Sequence, residues 1–121
     1  MKSPGTEEKI LVDEARNGSR ESFEELVHRY APRVSALVYQ HVADADATLD
    51  ISQTAFLKAY RQIRSLRDAE RFQPWLFRIA VNESLRFLKQ KTRERSKMKL
   101  TTEGLEELQA TGPTPVDSLV S

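Results

Sequence analysis

The chain has 121 residues, 39% of them hydrophobic and 31% charged, which suffices for one domain with a modest core and excludes two well-packed ones. The absence of cysteine rules out a disulfide framework and a thiolate metal site. The N-terminal MKSPGTEEK lacks the apolar core of a signal peptide and no apolar run approaches the roughly 20 residues that cross a bilayer, so a cytoplasmic protein without membrane insertion is expected. The net charge of +1 hides a segregation: residues 1–50 carry 6 basic and 10 acidic side chains, residues 51–100 carry 13 and 4, and residues 101–121 carry none and 4. A polyanion is drawn to the middle of such a chain and repelled by its ends, although a solvated helix face accounts for the same cations.

Residues 1–6 carry no periodic signal and are expected to be disordered. The spacing predicts a short helix over 7–17, with Ile10, Leu11 and Ala15 inward and Gly18 as its stop. Ser19 or Ser22 then caps a longer helix, in which Phe23, Leu26, Val27, Tyr30, Val34, Leu37 and Val38 recur at helical spacing. Pro32 removes a backbone donor and crowds the preceding turn, so a kink is expected there. Residues 42–48 read as a turn, with Asp44 and Asp46 available as caps.

The next helix is expected over 46–65. At 100° per residue Leu49, Phe56, Ala59, Tyr60 and Ile63 cluster inward, while Asp50, Gln53, Thr54, Leu57 and Arg61 fall on the other side. A polar connection follows over 64–73, and Pro74 suits the first turn of a final helix reaching about residue 92. Leu76, Ile79, Ala80 and Phe87 form its core stripe, with Phe77 and Leu88 at the margin. Beyond residue 96 the apolar periodicity fades, and Gly112, Pro113 and Pro115 mark a flexible linker. No segment alternates with period two. The predicted fold is therefore all-α: a small bundle of three to four helices over residues 7–95, with a flexible C-terminal tail over 96–121.

Two outward faces invite a function. On the final helix Trp75, Arg78, Asn82, Arg86, Lys89 and Arg93 recur at steps of three or four, so they share one stripe. Cations along one edge can follow a phosphate backbone, an amide can bond a base edge, and an indole can stack on a base; Trp75 can equally serve packing. On the preceding helix Leu57 lies between Gln53 and Arg61 on a side that should face water. An isolated exposed leucine is ordinary, but with Asp50 and Gln53 beside it at helical spacing it can anchor a partner helix. Catalysis has no support: the chain has no glycine-rich phosphate loop and no nucleophile beside a histidine, and His28 and His41 stand alone, without an HExxH pair. Neither a metal, a cofactor nor a small-molecule substrate is expected.

The run LDISQTAFLKAYRQI, followed at fixed distance by FQPWLFRIAVNESLRFLKQ and preceded by ESFEELVHRYAPRV, resembles region two of the extracytoplasmic-function sigma factors of bacterial RNA polymerase. The resemblance spans about residues 7–95. It implies a non-enzymatic helical bundle that docks on the clamp helices of the polymerase β′ subunit. Asp50 and Gln53 match the family's docking residues, with Leu49 alongside and Leu57 and Arg61 on the same face. Thr54 stands where the family usually has glutamate, which implies a modestly weakened contact.

The resemblance also implies capture of the non-template strand of the minus-ten promoter element, with an extruded base held between helices. The loop corresponds to residues 66–72, including Leu66, Arg67, Asp68, Arg71 and Phe72, and the base-reading amide to Asn82; the stripe of Trp75, Arg78, Arg86, Lys89 and Arg93 would hold the strand. An anti-sigma factor is a further implied partner. The family carries a second, helix-turn-helix domain after an acidic linker, which residues 96–121 resemble. No helix-turn-helix follows, so a shortened chain is expected, or else a natural stand-alone domain. A module that sequesters a protein partner without binding DNA is the alternative from another class.

Overall fold

The computed structural model describes residues 4–98, and within them the chain is all-helical: α1 (Pro4–Arg16), α2 (Arg20–Val42), α3 (Ala45–Gln62), two single 3₁₀ turns (Ile63–Ser65 and Ala69–Arg71) and α4 (Phe72–Met98). The tail expected over 96–121 lies outside the described residues except for the end of α4.

α1 begins at Pro4, three residues before the expected start, and the fixed φ of proline suits a first turn. It ends in a Schellman arrangement. The Ser19 N–H donates to the Glu14 carbonyl (2.9 Å) and the Gly18 N–H to that of Ala15 (3.0 Å), and Gly18 adopts φ 103°, open to a residue without Cβ. Ser19, rather than Ser22, then caps α2 by accepting from the Ser22 N–H at 3.2 Å.

α2 runs as one helix through Pro32, the position expected to kink it, and the apolar stripe resumes beyond it at Val34 and Val38. The bond that proline removes would have ended on the carbonyl of His28, and both residues are exposed, so water can satisfy that acceptor. The α2–α3 corner is tight: Ala43 takes the left-handed conformation at φ 52°, and Asp44 caps α3 by accepting from the Ala47 N–H at 3.0 Å. Asp46 lies in the first turn of α3, where its charge suits the helix dipole.

The core gathers Val12 and Ala15 of α1, Phe23, Leu26, Tyr30, Val34 and Val38 of α2, Ala47, Ile51, Ala55 and Ala59 of α3, and Leu76 and Ala80 of α4. α2 follows its sequence stripe. Two other stripes depart from theirs. In α1 Ala15 is buried and Leu11 packs against the core as expected, but Val12 is buried in place of Ile10, which is exposed.

In α3 the buried residues are Ala47, Thr48, Ile51, Ser52, Ala55 and Ala59, whereas Leu49 is 59% exposed and Tyr60 also emerges. α3 packs against both α2 and α4, and small side chains let it approach two neighbours closely. The bulky residues are displaced to its outer edge, where the Tyr60 ring meets that of Phe23 edge-on at 5.1 Å.

The connection before α4 is apolar on a spacing of three: Ile63 and Ala69 open the two 3₁₀ turns, Leu66 and Phe72 follow them, and all four are buried, as the stacking of positions three apart within each turn allows. α1 is bound to this region through Tyr30, whose hydroxyl donates to Glu8 Oε1 at 2.6 Å. The Tyr30 ring packs edge-on against Phe72 (5.5 Å) and Phe77 (6.1 Å), and the Arg33 guanidinium lies 4.3 Å from its centroid. Burial first, then the bond to Glu8, pushes the Tyr30 phenol up to about 12, against a smaller lowering by Arg33.

Candidate protein-docking and nucleic-acid interfaces

Along α3 the outward positions Leu49, Asp50, Gln53, Thr54, Leu57 and Arg61 are all exposed, as the face assignment requires. They divide by angle: at 100° per residue Asp50, Thr54 and Arg61 form an outer ridge, while Leu49, Gln53 and Leu57 turn toward α2. There Gln53 and Leu57 border a groove of about 540 Å³ shared with Arg20, Phe23, Glu24, Val27, Phe56 and Tyr60. Leu57 is half-exposed (50%) at its edge.

The groove was missed in the sequence because Phe23, Val27, Phe56 and Tyr60 all read as core; only the packing of α2 on α3 shows that their edges stay open. Apolar side chains line its floor, and the exposed Arg20–Glu24 pair (3.5 Å) sits at its rim. Such a surface suits the apolar face of a partner helix, with Gln53 setting register.

Along α4 Asn82, Arg86, Lys89 and Arg93 come together with Leu85 and Gln90 around a shallow depression of about 520 Å³. Arg78 is exposed one turn earlier. Trp75 is half-buried, its ring 5.9 Å from that of Phe72, so part of the indole serves packing. Leu85, 43% exposed, was not foreseen. It supplies an apolar spot in a cationic surface, and its exposure beside Asn82 and Arg86 was readable from helical spacing.

The loop before α4 requires a correction. Leu66 and Phe72, expected in a base-holding loop, are 5% and 1% exposed and belong to the core; they fasten the loop instead of lining it. Arg67, Asp68 and Arg71 are exposed. Asp68 Oδ1 accepts from the Glu70 N–H at 3.0 Å, which fixes the turn and leaves Arg67 and Arg71 as the loop's outward cations.

The two histidines stay apart from both surfaces: His28 is exposed, and His41 Nδ1 lies 2.9 Å from the Leu37 carbonyl one turn back. Among the described residues no group of three or more His, Asp or Glu could hold a metal ion, and no helix is long and apolar enough to cross a membrane.

Comparison with known proteins gives one direction. The family model Sigma-70 region 2 matches residues 26–94. The ECF RNA polymerase sigma-E factor of Escherichia coli (strain K12) is 40% identical over 81 residues, covering 67% of this chain and 42% of the relative. The protein of the same name from Haemophilus influenzae is 38% identical over the same shares. The chain thus spans less than half the length of these relatives. Among solved structures, the NMR structure of an engineered region 2 of sigmaE in complex with GTAAAA superposes with a TM-score of 0.66 at 39% identity, covering 72% of this chain and 90% of that one.

Proposed function

Since this chain belongs to the Sigma-70 region 2 family, a non-enzymatic one, we propose that it acts as the promoter-opening and polymerase-docking part of a sigma factor. The observation that carries the proposal is the exposed α4 surface of Asn82, Arg86, Lys89 and Arg93, on a fold shared with a region 2 whose complex contains GTAAAA. In this reading the α4 cations bind the phosphates of the non-template strand of the minus-ten element. The Asn82 amide offers a donor and an acceptor to the edge of an extruded base. Extruding a base costs a few kcal/mol, and the row of phosphate contacts offsets it.

The groove between α2 and α3 supports the second half of the proposal, docking on the clamp helices of the polymerase β′ subunit. Leu57 and the neighbouring aromatics supply buried area, and Asp50 and Gln53 supply polar contacts. Thr54 cannot provide the negative charge a glutamate would place on the ridge.

The deciding experiment is a fluorescence-anisotropy titration with single-stranded oligonucleotides containing GTAAAA or its scramble. Binding that favours the GTAAAA oligonucleotide supports the proposal. Equal affinity for both removes base reading, and no binding beyond the weak level of any basic surface leaves the sequestering module as the better account.

A further inference from the structure

The two surfaces are joined by an ion pair that neither role uses. Lys58 Nζ of α3 lies 2.6 Å from Glu83 Oε2 of α4, with side-chain exposures of 30% and 11%. The other ion pairs among the described residues run within α1 or α2 or between those two helices, at 3.4 to 3.6 Å. None of them touches α3 or α4.

The location matters because of what else is at this interface. Besides Ile51, Phe72 and Leu76, the buried residues of the two helices are small: Ala47, Thr48, Ser52, Ala55 and Ala59 of α3, Ala80 and Ser84 of α4. Helices fix their relative rotation and translation by interlocking ridges and grooves, and small side chains make shallow ridges. Ser84 spends its hydroxyl on the Ala80 carbonyl of its own helix (2.9 Å) and adds no cross-link. A short, partly shielded ion pair resists displacement because breaking it leaves a mostly covered carboxylate without its partner. Glu83 follows Asn82 directly, so any rotation of α4 that moves the carboxylate away from Lys58 also turns the Asn82 amide.

We propose that Lys58 and Glu83 are positioning residues for base reading: their ion pair sets the rotation of α4 and thereby the direction of the Asn82 amide. The inference rests on the base-reading role proposed above, deepens it, and requires neither residue to touch DNA.

The test compares the affinity ratio for GTAAAA and scrambled oligonucleotides, which cancels any change in general attraction to phosphate. In Glu83→Gln, Glu83→Ala and Lys58→Met the ratio is expected to fall about three- to tenfold, in the lower part of the range of coupling between contacting residues. The reversed pair, Lys58→Glu with Glu83→Lys, should recover most of it. Helical circular dichroism at the assay temperature identifies any variant that is not folded; Glu83→Gln keeps the shape of the side chain and carries the test if the others unfold. An unchanged ratio in folded Glu83→Gln and Lys58→Met, with Asn82→Ala losing it, overturns the inference and leaves base reading intact. Loss in the single variants without recovery in the reversed pair also overturns it, since the residues then act separately. A wild-type protein without preference overturns both.

Discussion

The outer faces of α3 and α4 belong to helices packed against each other, yet they offer opposite chemistry. The α3 side combines an apolar groove with a ridge of mixed charge, Asp50 against Arg61. The α4 side is cationic through Arg78, Arg86, Lys89 and Arg93, with the amides of Asn82 and Gln90 among them. Apolar burial is nearly indifferent to salt, whereas phosphate binding releases counterions and weakens steeply with it. A small bundle can thus engage a protein and a nucleic acid at once without the two competing for one surface.

Ionic strength should separate the faces most strongly. With four phosphates neutralised, the single-strand slope is about −2.8, so oligonucleotide affinity should fall about fiftyfold between 50 and 200 mM salt. Retention of a β′ clamp fragment should change far less; parallel salt dependence would merge the two faces into one electrostatic surface.

Leu57→Asp, which puts a charge at the edge of the groove, should weaken clamp binding about tenfold by calorimetry and leave oligonucleotide affinity within twofold. For α4, Asn82→Ala should lower the preference for GTAAAA about fivefold or more at an unchanged salt slope, as expected of a lost base contact. Arg86→Ala should instead weaken matched and scrambled binding alike.

Tyr30 provides a control on the scaffold beneath both faces. Its phenol is held at about 12, above the ordinary value of 10, so the folded protein keeps a proton that the unfolded chain releases. The associated stability is complete below pH 10 and is lost as pH rises toward 12. The unfolding free energy from denaturant titrations should fall across that window by about 2 to 3 kcal/mol, and Tyr30→Phe should flatten the fall. The smallest effect concerns Ala43, strained at φ 52°: Ala43→Gly should raise stability by about 0.5 kcal/mol in thermal melts and leave both binding activities unchanged.

How much was legible in the sequence varied from helix to helix. The α2 stripe was readable because Phe23, Leu26, Tyr30, Val34 and Val38 are large, apolar and regularly spaced. The α4 stripe was readable for the complementary reason: charged side chains seldom enter a core without partners, so Arg86, Lys89 and Arg93 had to be outside. α3 misled because weight was given to size. Leu49 and Tyr60 looked like core, while the buried positions other than Ile51 are Ala47, Thr48, Ser52, Ala55 and Ala59, which carry little hydrophobic signal.

Leu66 and Phe72 failed differently. They stand among arginines in a stretch without α-helical period, and only the spacing of three from Ile63 hints at the 3₁₀ turns that bury them.

The sequence by itself thus determined that the chain is helical, where its helices turn and which of its faces are charged, since these depend on local spacing, capping residues and the cost of burying charge. Only the tertiary structure decided the rotation of α3, the groove it opens with α2, the inward anchoring of Leu66 and Phe72, and the Lys58–Glu83 pair. Those features come from groups 25 or more residues apart or from three helices competing for one interior, and no local pattern encodes the outcome of that competition.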